Sequence, residues 1–175
     1  MNIFESLNLY IKQLSTKTEQ KIARILLKKS MTISVAESCT GGLISSRLTD
    51  VAGSSAYVKE NYITYANEAK VKLLGVSEQT LEKYGAVSEQ CAQEMVQGLF
   101  ERTGCDIALA TTGIAGPGGA LTNKPIGLIY IAVKNKYATK VKKIELDPNY
   151  KRKTMKFIFS QEALEFLIEF LSSEK

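Results

Sequence analysis

Apolar and polar positions along the chain follow two periods, one near 3.6 residues and one near 2. Residues 17–29 set Ile22, Ile25 and Leu26 three and four apart between charges, which predicts a helix. Residues 3–14 carry a weaker helical pattern, read as part of an N-terminal helical extension over residues 1–18, ahead of a single domain over residues 19–175. Residues 31–36 (MTISVA), 106–112 (DIALATT) and 126–133 are short apolar runs that predict buried strands, and residues 139–146 a more exposed one. Residues 56–66, rich in Tyr, Val, Ile and Thr, predict extended chain. Residues 43–51 look helical. Asn67 is expected to cap a helix that stops at Gly75, Ser77 one that closes near Gly85, and Ser88 a longer one that ends at Gly104. Residues 149–171 read as a closing amphipathic helix. The order α-β-α-β-α-α-α-β-β-β-α predicts an α/β fold, a three-layer α/β/α sandwich with a mixed β-sheet.

Composition narrows the chemistry. The chain has 175 residues, 45% hydrophobic and 23% charged, enough apolar material for one core. Its longest apolar stretch, residues 126–133, is too short to span a bilayer, and residues 1–30 carry no apolar signal region. A cytoplasmic protein with no membrane partner is expected. There is no histidine, which excludes Ser-His-Asp and Cys-His devices and His-ligated metals. Cys39, Cys91 and Cys105 form no C-x-x-C pair, so no metal, cofactor or disulfide framework is expected. Residues 134–156 hold nine Lys or Arg against two acids, although the whole chain is only +5. Without interleaved aromatics, this strip reads as a solvated face rather than a nucleic-acid surface, or as a local anion site.

Four stretches can carry chemistry. In ESCTGG, Ser38 follows a buried strand, and Gly41 and Gly42 open a helix whose free N–H groups suit an oxyanion or a bound anion. Ser38 or Thr40 could equally cap that helix, and Cys39 is a neighbouring nucleophile with no visible base. Without histidine a serine needs another base. Lys70, in the first turn of its helix, can serve once its pKa is lowered, with Tyr65 as a proton donor or relay. The run from Thr111 through Thr112, Gly113, Gly116, Gly118 and Gly119 follows a buried strand; it is neither a dinucleotide fingerprint nor a P-loop, and its amides suit a phosphate, ribose or carboxamide. Arg152 opens the last helix, where it can pair with phosphate or simply extend the basic strip.

Taken together, AESCTGG (36–42), GSSAY (53–57), ITYANEAK (63–70), LLGVS (73–77), YGAVSE (84–89) and TTGIAGPGG (111–119) resemble, in order and spacing, the CinA C-terminal domain family, the nicotinamide-nucleotide amidohydrolases in their stand-alone form. The resemblance covers roughly residues 20–172. It implies a cytosolic bacterial enzyme that hydrolyses the carboxamide of nicotinamide mononucleotide to nicotinate mononucleotide and ammonia, without a metal, as a homo-oligomer. Position by position it implies Ser38 as nucleophile, Lys70 as base, Tyr65 beside it, Thr112 and the glycine loop as substrate contacts, and Arg152 as the arginine of a C-terminal Gly-Asp-Arg. In that reaction the backbone N–H groups around Thr40 to Gly42 are expected to hold the oxyanion, with Thr112 as a helping donor. Here that triplet is Tyr150-Lys151-Arg152, Asn61 stands where the family has Gly, and Ala66 where it has Ser. The alternative is a non-catalytic module of the same fold that binds a nucleotide or a partner.

Overall fold

A computed structural model describes residues 15–173, so the expected helix over residues 3–14 lies outside the described residues. Five strands, β1 (Ile33–Glu37), β2 (Val58–Ile63), β3 (Ile107–Gly113), β4 (Leu128–Lys134) and β5 (Thr139–Glu145), form one sheet in the order β2-β1-β3-β4-β5. β1 runs parallel to β2 and β3, whereas β3, β4 and β5 are antiparallel neighbours. Helices α1 (Lys17–Lys29), α2 (Leu43–Thr49) and α6 (Arg152–Ser172) cover one face, and α3 (Asn67–Leu74), α4 (Glu78–Tyr84) and α5 (Glu89–Thr103) the other. The fold is the three-layer sandwich with a mixed sheet, in the element order that the periodicity predicts.

The two faces of the sheet differ in thickness. Toward α1, α2 and α6 it presents Ile33, Val35, Ile107, Leu109, Ile129 and Ile131; toward α5 it presents Ala36, Ala108, Ala110 and Ala132. Alternate strand positions point to opposite faces, so the centre of one face is built of branched side chains and the centre of the other of methyl groups. Small residues also join α5 to α3. A Cβ on Gly98 would fall 1.7 Å from the Leu74 carbonyl oxygen, so the end of α3 rests directly on the backbone of α5.

Several local expectations shift. The extended stretch 56–66 shortens to β2, because Gly53, at φ +84°, turns the chain into a 3₁₀ turn (Ser54–Ala56). Tyr57 is then buried with its hydroxyl donating to the Leu48 carbonyl. Asn67 is not a cap but the first helical residue of α3; Ala66 holds the cap position and has no side chain to fill it. Ser77 and Ser88 cap α4 and α5 as expected, through the Thr80 and Cys91 amides. The last helix begins at Arg152 rather than residue 149, since Asp147 folds the chain before it by accepting from the Asn149 amide. That helix is not amphipathic in the ordinary sense. Phe157, Phe159, Leu164, Phe166 and Phe170 are buried around most of its circumference, because it packs on the sheet and also on α1 and α2.

The basic strip does not persist as one surface. β5 is an edge strand, and Lys140 and Lys142 lie over Phe170 and Phe166 of α6, while Lys143 faces the other side and pairs with Glu145. Lysines on an edge strand also discourage pairing with another chain. Beneath α6, the buried Arg47 donates to Glu19 at 2.5 Å, to Ser160 at 2.8 Å and to Gln161 at 2.6 Å, which ties α1, α2 and α6 together.

Gly98→Ala is expected to destabilise the protein by about 1–3 kcal/mol, the usual cost of overpacking, because backbone must move to admit the methyl group. Urea unfolding measures the loss.

Candidate functional site

β1 and β3 end side by side, with Glu37 paired to Thr111, and the chain leaves both at the same edge of the sheet. After β1 it makes a tight turn, Ser38 to Gly42, in which Gly41 and Gly42 both have positive φ (+60° and +92°). L-residues with a Cβ rarely adopt this conformation, which accounts for the two glycines. The turn is tied to β3: the Ser38 amide donates to the Thr111 carbonyl at 3.1 Å, and the Thr40 and Thr111 hydroxyls are 3.0 Å apart.

Ser38 and Lys70, 32 residues apart, meet here. The Lys70 Nζ lies 3.1 Å from the Ser38 Oγ, 2.8 Å from the Thr64 carbonyl and 3.2 Å from the Tyr65 carbonyl. Lys70 is 1% exposed, where most lysines keep their ammonium in water. Burial pushes its pKa below the usual lysine value; weaker opposing pulls come from Cys91, Cys39 and Glu68. When the nitrogen is neutral, its two hydrogens serve the two carbonyls and its lone pair is left facing the Ser38 hydroxyl. That is the geometry of a general base on a serine nucleophile.

Both side chains line a cavity of about 230 Å³. Tyr65, Thr112, Gly113, Gly118, Gly119 and Arg152 line it as well, so most of the residues singled out from the sequence converge on one space. Gly116 contributes its carbonyl, which accepts from Arg152 Nη1 at 2.6 Å. Arg152 Nη2 donates to the Tyr65 hydroxyl at 3.0 Å, so one guanidinium joins α6, the β2–α3 junction and the glycine loop.

Four expectations change. Gly41 and Gly42 do not face this cavity; with Lys153 and Lys156 they line a neighbouring one. Nor are their amides open to an oxyanion. The Gly41 amide donates to the Ser38 carbonyl, and the Gly42, Ile44 and Ser45 amides all donate to the carboxylate of Glu37. An internal anion already occupies the start of α2. Thr40 is fully buried against Thr111 rather than facing the cavity. Thr112 lines the cavity, but its hydroxyl hydrogen goes to the Ala86 carbonyl at 2.6 Å, so it holds the 85–88 segment to β3 and is not a donor to an oxyanion. Tyr65 is 61% exposed with its phenol on Arg152; what it gives Lys70 is its backbone carbonyl. Cys39 lines the cavity too, yet burial pushes its thiol up to about 12, so almost no thiolate forms at neutral pH.

Two contributors escaped the sequence reading. Ala86 and Val87 line the cavity through YGAVSE, a motif with no side chain that advertises chemistry. Glu37 sits fully buried beside Ser38, and the available signal was an acid ending an apolar strand run.

Comparison with known proteins places the chain in a family. The chain is 55% identical over 121 residues to a CinA-like protein of Chlorobium limicola, covering 69% of this chain and 28% of that protein. It is 46% identical over 153 residues to a CinA-like protein of Chlorobaculum tepidum, covering 86% of this chain and 36% of that one, so the chain spans about a third of the length of these curated relatives. Among solved structures it superposes on the competence damage-inducible protein A of Klebsiella pneumoniae with a TM-score of 0.87 and 32% identity, covering 91% of this chain and 98% of that one. The competence/damage inducible protein of Agrobacterium tumefaciens gives a TM-score of 0.83 and 39% identity, covering 89% and 96%. The sequence model described as the CinA C-terminal domain matches residues 15–171. Its motif order, its mixed sheet and this match over nearly the whole chain make it a member of the CinA C-terminal domain family.

Proposed function

We propose that this chain is a serine amidohydrolase that converts nicotinamide mononucleotide to nicotinate mononucleotide and ammonia. The observation that carries the reaction type is the buried Lys70 nitrogen, 3.1 Å from the Ser38 hydroxyl and held by two carbonyls. The substrate comes from the family resemblance of the motifs. Neutral Lys70 takes the Ser38 proton as Oγ attacks the carboxamide carbon. The resulting lysine ammonium returns that proton to the leaving nitrogen, and ammonia departs as the C–N bond breaks. Water then attacks the nicotinoyl ester, again giving its proton to Lys70, and the Ser38 Oγ leaves with that proton. Among the described residues, the Cys39 amide donates to no other residue, and Cys39 follows the nucleophile directly and lines the cavity; its amide is the donor we assign to the oxyanion. Arg152, at the cavity rim, is assigned to the 5′-phosphate, exchanging its contacts with Gly116 and Tyr65 for a charged one.

Ammonia release from nicotinamide mononucleotide tests the reading. Ser38→Ala is expected to lose turnover while still binding the nucleotide, and Cys39→Ala to keep most of it. Binding without release by a folded wild-type protein would instead indicate a non-catalytic module.

The pH dependence follows from Lys70. Turnover is expected to rise as pH climbs through the Lys70 pKa, which lies below 10.5. Between that value and 10.5 the unfolded chain binds the proton that the folded one has released, so this group's contribution to stability also rises with pH. Below that value the fold holds a desolvated ammonium at its own expense. Lys70→Met is therefore expected to be inactive and more resistant to urea than the wild type.

Arg152→Ala is expected to raise KM about tenfold, the loss of one partly exposed charged hydrogen bond, with a smaller change in kcat. Steady-state kinetics on nicotinamide mononucleotide separates the two constants.

A further inference from the structure

Among the described residues, Glu37 is the one buried carboxylate beside the nucleophile that the proposed reaction leaves without a task. It is fully buried at the end of β1. Its Oε2 accepts from the Gly42 amide at 3.0 Å and the Ile44 amide at 3.1 Å; its Oε1 accepts from the Ser45 amide at 2.8 Å and the Ser45 hydroxyl at 2.6 Å. The Glu37 carbonyl in turn accepts from the Thr64 amide at 2.8 Å, and the carbonyl of Thr64 is a ligand of Lys70. The residue thus grips the far side of the Ser38 turn with its side chain and the Lys70 cradle with its backbone.

We propose that Glu37 is a positioning residue for Ser38: its carboxylate locks the 38–45 segment in the single arrangement that aims Oγ at the Lys70 nitrogen. This rests on the reading of Ser38 as nucleophile. Three amides and a hydroxyl converging on one carboxylate leave the turn little freedom. The same charge occupies the start of α2 from inside and so keeps external anions off it. It also opposes ionisation of Cys39 next door, which favours oxygen over sulfur as the attacking atom.

Glu37→Gln keeps the shape but sets an amide NH₂ against backbone N–H donors, so the turn must give. The test is the rate at which a fluorophosphonate modifies Ser38, read by intact mass at saturating reagent across a pH series. Modification forms the Ser38 O–P bond with loss of fluoride and needs no assumption about the natural substrate. Leu48→Ala, a core change on the same helix away from the carboxylate, serves as the stability control. Glu37→Gln is expected to react about 10–100-fold more slowly than the wild type at every pH, the range that misplacing a reacting group produces. Leu48→Ala is expected to react near the wild-type rate despite its lower unfolding midpoint. Should Glu37→Gln fail to fold, Ser45→Ala, which removes only the hydroxyl bond, is expected to slow the reaction about threefold or more. Wild-type rates in both carboxylate-side variants would overturn the proposal, as would equal slowing in Leu48→Ala. A wild-type Ser38 that the reagent never modifies would overturn the nucleophile reading itself, and this inference with it.

Discussion

The cavity depends on keeping a lysine nitrogen out of water with no carboxylate among the described residues bonded to it. An ammonium in that position lacks the solvation and the counter-charge that normally hold its proton, so the neutral amine becomes accessible. Such a nitrogen still needs partners, and two backbone carbonyls supply them. They come from Thr64 and Tyr65, where β2 runs out, six and five residues before Lys70 in the first turn of α3. The placement of α3 is therefore the controlling constraint. It is met through Gly98, whose missing side chain lets α3 settle on α5, and through the alanine face of the sheet, which brings α5 close.

On the other side of the dyad, charge does the corresponding work. Glu37 takes up the N–H groups at the start of α2, and Arg152 bridges the glycine loop to the β2–α3 junction. One is buried and saturated, hence fixed. The other is exposed, with two neutral partners and a positive charge to offer, hence able to exchange them. A site with a fixed serine and an adaptable cationic rim has the charge to hold a small anion.

The departures from the family pattern have physical readings. Ala66 leaves the N-cap of α3 unfilled where a serine would accept from the helix, and Lys151 does the same for α6 where an aspartate would. Both lost caps belong to helices anchored by burial, α3 through Lys70 and Leu74 and α6 through its ring of phenylalanines. Asn61, in place of glycine, puts its side-chain oxygen 2.9 Å from the Val35 amide, where the register between β1 and β2 shifts, and so replaces a missing ladder bond.

The order of elements, the mixed sheet and the serine caps at Ser77 and Ser88 were legible in the chain, because periodicity and capping are local properties. The absence of histidine alone directed attention to a lysine base, and the motifs at 36–42, 63–70 and 111–119 named most of the residues that line the cavity. Local sequence misread whatever depends on who reaches a polar group first. Gly41 and Gly42 looked like an anion site, yet Glu37, a residue of the same motif, already fills it. Thr112 looked like a donor, yet Ala86 takes its hydrogen. Tyr65 looked like a proton relay, yet Arg152, 87 residues away, holds its phenol. Chain pattern determined which residues gather at the sheet edge. Only the packed structure decided which of their hydrogen bonds were already made, because buried polar groups pair with the nearest partner in space, and no spacing along the chain records that.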